Sequence, residues 1–400
     1  MTGPRIVLPT DGGTRTHVLA ERSPVHDLTG DAPVTRTAYA AAHVVADPLT
    51  ERPGTETPCT DGPGIDGPGI DWDATLGFRR HLWSLGLGVA DAMDTAQRGA
   101  GLDWAAAREL IARSGAEARA VGGALVCGAM TDQLAPGRHW TLHDIADAYV
   151  EQAGWIRESG GTPVLMASRQ LAAAARDADD YHEVYGAVLR QLEGPVLLHW
   201  LGDAFDPAMT AYWGDADLDR AAATVLGIVT EHADRISGIK ISLLDADREV
   251  ALRRQLPPGV RMLTGDDFHY PELIRGDEQG HSGALLGVFD AIAAPARAAL
   301  ARLDAGDTDG YTALLAPTVP LARHLFAAPT SAYKTGVVFL AWLNGHQDHF
   351  HLLGGAQTFR SVIHLSTLFA LADEAGALAD PPLAAHRMRA FLAVAGFDAT

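Results

Sequence analysis

Lysine is nearly missing from this 400-residue sequence: of its 31 basic residues only Lys240 and Lys334 are lysines, and every other one is arginine. Where a positive charge or a long amphipathic stem is all that is needed, arginine serves, but an arginine cannot lose its proton and attack a carbonyl carbon. The two retained lysines are therefore positions to locate. Cysteine is as scarce. Cys59 lies in a Pro/Gly-rich stretch and Cys127 in an apolar, strand-like run, so no structural disulfide is expected. Positive charge is in deficit overall, with a formal net charge of −19 and an isoelectric point near 5.2. Such a surface repels phosphate backbones and anionic headgroups, which argues against nucleic acid and membrane as partners, although a few local arginines could still set the sign inside one pocket. No run approaches the roughly 18 apolar residues of a spanning helix, and MTGPRIVLPTDGGTRTH lacks the apolar core of a signal peptide. A cytoplasmic protein with a small-molecule partner is expected.

What is present is an ordinary globular balance, 47% hydrophobic and 20% charged, enough to bury a large core. Residues 1–36 are turn-rich, with Ile6-Val7-Leu8 as their one strand candidate, and read as an N-terminal arm or hairpin. Residues 52–70 are dense in Gly and Pro, repeat GPGID, and read as a surface insertion. Across 37–290, short apolar runs alternate with longer amphipathic ones, the pattern of parallel strands buried on both faces. Strands are expected at 38–46, 87–93, 124–130, 163–168, 195–201, 236–242, 260–264 and 284–289, with helices at 72–85, 103–119, 142–158, 181–192, 218–233, 245–255 and 271–275. With a helix in each gap and no G-x-G-x-x-G after the first strand, a closed (β/α)8 TIM barrel is favoured over an open doubly wound sheet. Residues 291–400 form a C-terminal helical region, expected at 291–305, 308–325, 331–345, 356–374 and 381–395.

Reacting groups of such barrels sit at the C-terminal strand ends. Those ends offer His43 and Asp47, Asp94 and Thr95, Thr131 and Asp132, Ser168 and Arg169, His199 and Trp200, Lys240 and Ser242, then Asp266, Asp267 and His269. Lys240, in Ile-Ser-Gly-Ile-Lys-Ile-Ser, is flanked by isoleucines that would desolvate its ammonium and free the neutral amine for attack. The alternative is that it pairs with a carboxylate such as Asp266. Arg169 suits a carboxylate or phosphate, or an ordinary ion pair. His346, His349 and His351 with Asp348 form a loose histidine cluster whose spacing and place after the barrel favour packing or subunit contact over a metal, and His43, Asp47 and Asp94 are another possible, less favoured metal set.

On these residues the sequence resembles the dihydrodipicolinate synthase and N-acetylneuraminate lyase superfamily, the lysine-dependent pyruvate aldolases. SGIKIS resembles the Gly-Ile-Lys strand carrying that family's Schiff-base lysine, here Lys240, and Thr264-Gly265-Asp266-Asp267 resembles its Gly-Asp-Asp segment. AMDTAQRGAGLDW is similar to the family's Gly-Thr-Thr-Gly-Glu turn, which holds the substrate carboxylate, with Thr95 at the first threonine but Ala96 at the second. In PVLLHWLG the family's proton-relaying tyrosine is replaced by His199. Lys334 resembles a C-terminal Pro-x-Lys lysine of structural role. RTAYAAAHVVADP and NGHQDHF set the chain in a bacterial branch apart from the best-understood members.

The resemblance implies a class I aldolase, lyase or dehydratase acting on a keto acid, keto-sugar or sugar acid. Lys240 forms the imine, His199 transfers protons, and Asp94, Thr95, Ser168, Arg169, Ser242, Gly265, Asp266 and Asp267 hold substrate. It implies a homo-oligomer and no cofactor beyond the covalent imine, a divalent metal remaining compatible. The competing expectations are a metal-dependent isomerase or hydrolase of sugar-like substrates, and a non-catalytic metabolite-binding barrel.

Overall fold

The computed structural model describes residues 3–27, 35–50 and 69–397. Most of the Gly/Pro-rich stretch and Cys59 lie outside the described residues, while Cys127 is a buried free thiol. Two strands, β1 (Arg5–Thr10) and β2 (Gly13–Val18), pair antiparallel across an Asp11-Gly12 turn in which Gly12 takes φ +85°, a conformation that glycine adopts without steric cost. The hairpin packs Ile6 and Leu8 inward and is tied to the C-terminal helices, with His17 Nε2 at 2.8 Å from Asp373.

Eight further strands close into a parallel barrel: β3 (Ala38–Ala41), β4 (Gly88–Asp91), β5 (Leu125–Ala129), β6 (Thr162–Leu165), β7 (Val196–Leu201), β8 (Ile236–Ser242), β9 (Arg261–Thr264) and β10 (Gly283–Leu286). Each pairs with its sequence neighbour, and β10 closes on β3. Every expected barrel strand is present, shortened where the chain leaves the sheet. Residues 288–289, read as the end of the last strand, instead open a short helix, Val288–Ala291.

Strand parity divides the core. Ala41, Ala90, Val126, Val164, Leu197, Leu263 and Leu285 fill the barrel axis, whereas Ile239, Ile241 and their counterparts pack outward against the helices. Each fully buried isoleucine contributes roughly 1.5–3 kcal/mol. Because Ile239 and Ile241 take the outward positions, Lys240 and Ser242 face inward with the side-chain period of two. The surrounding helices start on side-chain caps: Asp103 accepts from Ala106 N, Thr141 and Asp144 form a capping box, and Asp245 accepts from Arg248 N.

The C-terminal region differs from its expectation in where its helices break. The single helix expected at 308–325 is two, Thr308–Leu315 and Thr318–Leu325, interrupted at Pro317, which has no N–H to continue the first. The next helix starts at Tyr333 and runs to Leu343. Gly354 and Gly355, with φ +65° and +75°, delay the following helix until Val362, where Ser361 caps it. These breaks turn Phe326 and Tyr333 towards the C-terminal mouth of the barrel, where their rings stack at 4.4 Å. Among the described residues no helix is long and apolar enough to cross a membrane.

Candidate active site

At that mouth a small cavity is lined by Lys240, Asp94, Thr95, Ser242, Gly265 and Asp267 as its polar floor. Ala41, Met93, Leu201, Phe205, Gly287, Phe326 and Tyr333 are its walls. The strand contributions follow β3, β4, β7, β8, β9 and β10, and of the aromatic walls Phe205 comes from the loop after β7 while Phe326 and Tyr333 come from the C-terminal helices.

Lys240 is 8% exposed and, among the described residues, forms no ion pair. Burial lowers its pKa, opposed by the fields of Asp94 and Asp267. The pairing with Asp266 that would make Lys240 merely structural is absent, because Asp266 is engaged elsewhere: its Oδ1 accepts from the backbone N–H of Phe268 (2.8 Å) and His269 (3.0 Å), and its Oδ2 meets His269 Nδ1 at 2.8 Å. Asp267 does face the lysine. Its Oδ1 accepts from Val288 N at 2.8 Å, and burial, against the opposing pull of that bond and of Lys240, pushes the carboxyl up to about 7. A Cβ on Gly265 would stand 2.2 Å from Ser242 Oγ and 2.6 Å from Lys240 Cε, so the bare backbone there is what leaves the lysine its room.

Asp94 and Thr95 follow a strained turn. Ala92 takes φ +51° and Gln97 φ +61°, each costing a non-glycine residue of order 1–2 kcal/mol. A buried ion pair holds the turn from outside: Arg79 grips Asp91 through two bonds of 2.7 and 3.0 Å and also donates to the His43 and Thr75 carbonyls, while Asp91 Oδ1 accepts from Ala92 N. Within the turn, the amides of Ala96 and Arg98 donate to the Met93 carbonyl and that of Gln97 to the Asp94 carbonyl. Thr95 Oγ1 lies 2.8 Å from the Tyr333 hydroxyl. Burial, reinforced by Asp94, keeps that phenol protonated well above its ordinary range.

His199 is fully buried beside Lys240 in the sheet register but does not line the cavity. Its Nε2 is 3.2 Å from Ser242 Oγ and its Nδ1 has no partner. Burial, then the adjacent ammonium, drives its pKa well below 6.5, so the ring is neutral and touches the cavity only through Ser242. Ser168 and Arg169 are not brought to the cavity either. Ser168 caps the short helix Arg169–Ala174, accepting from Leu171 N, and lies 2.6 Å from Thr131 Oγ1. Arg169 points outward and pairs with Asp206 at 2.7 Å.

The histidine sets do not converge. His43 bonds Asp290 and Gln347, Asp47 caps its own turn, and His346 packs on His81 and Phe78. Among the described residues no three His, Cys, Asp or Glu side chains group as a metal site. Sequence reasoning missed Tyr333, Phe326, Phe205 and Gly287. The one available signal was Lys334, the second rare lysine, which marks the helix carrying Tyr333. Lys334 lies behind that ring, its ammonium 4.9 Å from the ring centroid and donating to Ser331 O at 3.3 Å.

The family described as "Protein of unknown function (DUF993)" matches residues 6–397, nearly the whole chain. The chain belongs to the DUF993 family. No curated protein matches it. Among solved structures, dihydrodipicolinate synthase from Thermotoga maritima superposes with a TM-score of 0.63 at 13% identity, covering 86% of this chain and 100% of its own. The enzyme of that name from Bacteroides thetaiotaomicron gives 0.62 at 14%, covering 85% and 99%. YagE, a prophage protein of the dihydrodipicolinic acid synthase family from E. coli K12 solved with pyruvate, gives 0.61 at 14%, covering 90% and 98%. At such identities the likeness establishes a fold: the DUF993 chain shares the barrel of the dihydrodipicolinate synthase family, as its sequence resemblance implied.

Proposed function

We propose that this protein is a class I lyase, an aldolase or dehydratase, in which Lys240 forms a Schiff base with a carbonyl substrate. The observation that carries the reading is an unpaired lysine, desolvated at the C-terminal mouth of a barrel, next to a carboxyl that titrates near neutrality. The neutral amine attacks the carbonyl carbon, a proton moves from nitrogen to oxygen to give the carbinolamine, and a second proton, donated by the protonated Asp267 carboxyl, lets the hydroxyl leave as water as the iminium forms.

The iminium then accepts the electron pair of an adjacent bond. In cleavage, a base removes the β-hydroxyl proton, the Cα–Cβ bond breaks, and an enamine and a carbonyl product result. In dehydration, the α-proton is removed and the β-hydroxyl leaves as water. The cation stabilises the developing carbanion more than a neutral ketone does, and this difference lowers the barrier.

Proton transfer falls to Asp267 and to the Thr95–Tyr333 hydroxyl pair rather than to His199. A carboxyl poised near pH 7 is present in both protonation states, as acid–base work requires. Buried neutral His199 serves through Ser242 as a positioning residue. Ser168, Arg169 and Asp266, set apart from the cavity lining, are assigned scaffold roles.

The test is intact mass and peptide mapping after borohydride reduction with a panel of ketones, keto acids and keto-sugars. One adduct per chain, mapped to Lys240 and lost in Lys240→Ala but not in Lys334→Ala, is expected. Adducts spread over both lysines, or none with any carbonyl, would sink the reading.

A further inference from the structure

The cavity carries its charges in an unusual proportion. Its lining holds two carboxyl groups, Asp94 and Asp267, against a single cation, Lys240, and among the described residues no arginine lines it. The other nearby cations do not line it: Arg169 is bound to Asp206 on the outside, Arg98 is bound to Asp132 and Gln152, and Lys334 holds its ammonium over the Tyr333 ring, within the field of Asp94 but outside the cavity lining.

Much of the nearby backbone is already engaged. The turn that leads from β4 has its Ala96, Gln97 and Arg98 amides closed on the carbonyls of Met93 and Asp94, and the Thr95 hydroxyl is bonded to Tyr333. A substrate carboxylate beside the reacting carbonyl would therefore meet two carboxyl groups, with the Ser242 hydroxyl and the one unspent hydrogen of the Thr95–Tyr333 pair as side-chain donors. The one cation there is the nitrogen that becomes the iminium. In a desolvated pocket that arrangement repels an anion strongly.

Hydroxyls, by contrast, find partners. Asp94 and Asp267 accept hydrogen bonds, Ser242 can give or take one, and the Phe205, Phe326 and Tyr333 rings offer apolar faces to a short carbon chain. Resting on the Schiff-base reading, we infer that the substrate is an uncharged hydroxy-ketone or hydroxy-aldehyde, a small keto-sugar rather than an α-keto acid. Asp94 is the residue that sets the preference, by refusing an anion next to the carbonyl.

The experiment compares hydroxyacetone with pyruvate, which differ only in a CH2OH group against a carboxylate, at matched ionic strength. Borohydride trapping is followed by mass on wild type and Asp94→Asn, and melting temperature is read on the same samples without reductant. Wild type is expected to trap hydroxyacetone at lower concentration than pyruvate by roughly 30-fold or more, the size that a like-charge contact of about 2 kcal/mol produces. Asp94→Asn, which keeps an accepting oxygen but loses the charge, is expected to narrow the ratio about tenfold.

Equal trapping of both ketones on Lys240, or a preference for pyruvate, overturns the inference while leaving the imine intact. No adduct with either overturns the imine instead, and the melting shifts then decide the charge preference. Stabilisation by hydroxyacetone alone supports an uncharged ligand. Stabilisation by pyruvate, or by neither, refutes it.

Discussion

Substituting Gly265→Ala perturbs the candidate site by a single methyl group. The new Cβ would lie 2.2 Å from Ser242 Oγ, 2.6 Å from Lys240 Cε and 2.8 Å from the Ile241 carbonyl oxygen. The first two neighbours can move, but the third is backbone, and Gly265 N already donates to that same oxygen at 2.7 Å. The strain therefore passes to the side chains: Ser242 rotates off His199, and the lysine stem is pushed from its seat. Overpacking of this kind costs about 1–3 kcal/mol, a loss of a few degrees in melting temperature for a chain of this size. A displacement of about 1 Å at a reacting atom costs on the order of 10²-fold in rate. Trapping of hydroxyacetone by borohydride should accordingly slow about a hundredfold while the melting temperature falls only slightly. Unchanged trapping at unchanged stability would refute the claim that the glycine makes room for Lys240.

Three other perturbations read other parts of the site. Tyr333→Phe keeps the ring stacked on Phe326 but removes the hydroxyl 2.8 Å from Thr95; imine formation should slow by about 10²-fold or more, with stability changed by roughly 1 kcal/mol, and equal rates would remove the phenol from the proton path. Asp267, pushed up from 3.8 to about 7, binds a proton more tightly folded than unfolded. Its burden on stability thus builds as pH rises from about 4 to 7 and is complete above 7. Asp267→Asn should leave stability near pH 4 almost unchanged and raise it at pH 8, while losing trapping at all pH values; a stability difference independent of pH contradicts the assignment. Arg79→Met strands the buried Asp91 carboxylate and should cost about 3–5 kcal/mol in chemical denaturation, much of it regained in Arg79→Met/Asp91→Leu. If the double variant is no more stable than the single, the guanidinium does not act through Asp91.

The barrel was legible because parity is a local property. In ISGIKIS the isoleucines and the lysine alternate, so once the helices cover the outside, the lysine has only the axis to face. Asp94, Thr95, Ser242 and Asp267 were pointed to by their place at the C-terminal ends of strands, and Gly265 by the family resemblance. The rule misled at β6, because Ser168 stands directly before a helix and its hydroxyl is drawn back to the Leu171 amide, which turns Arg169 outward to Asp206. Tyr333 and Phe326 lay beyond its reach altogether. Their place depends on where the helices Thr318–Leu325 and Tyr333–Leu343, well past the last strand, dock, and the break at Pro317 that precedes them is not a matter of periodicity.

His199 shows why a residue type alone does not assign a proton. At an exposed site a histidine is the natural acid–base group near pH 7, and its place next to Lys240 in register made the role plausible. Full burial reverses the argument, since two cations side by side in the barrel axis repel and only one can be solvated from the cavity. The ring yields its charge, stays neutral across the working pH range, and leaves proton exchange to the group whose burial moves it towards neutrality, Asp267. Histidine titration followed by NMR distinguishes the two: a His199 signal that titrates between pH 6 and 8 returns the acid–base role to the imidazole, and one that stays neutral down to pH 5 leaves it with the carboxyl.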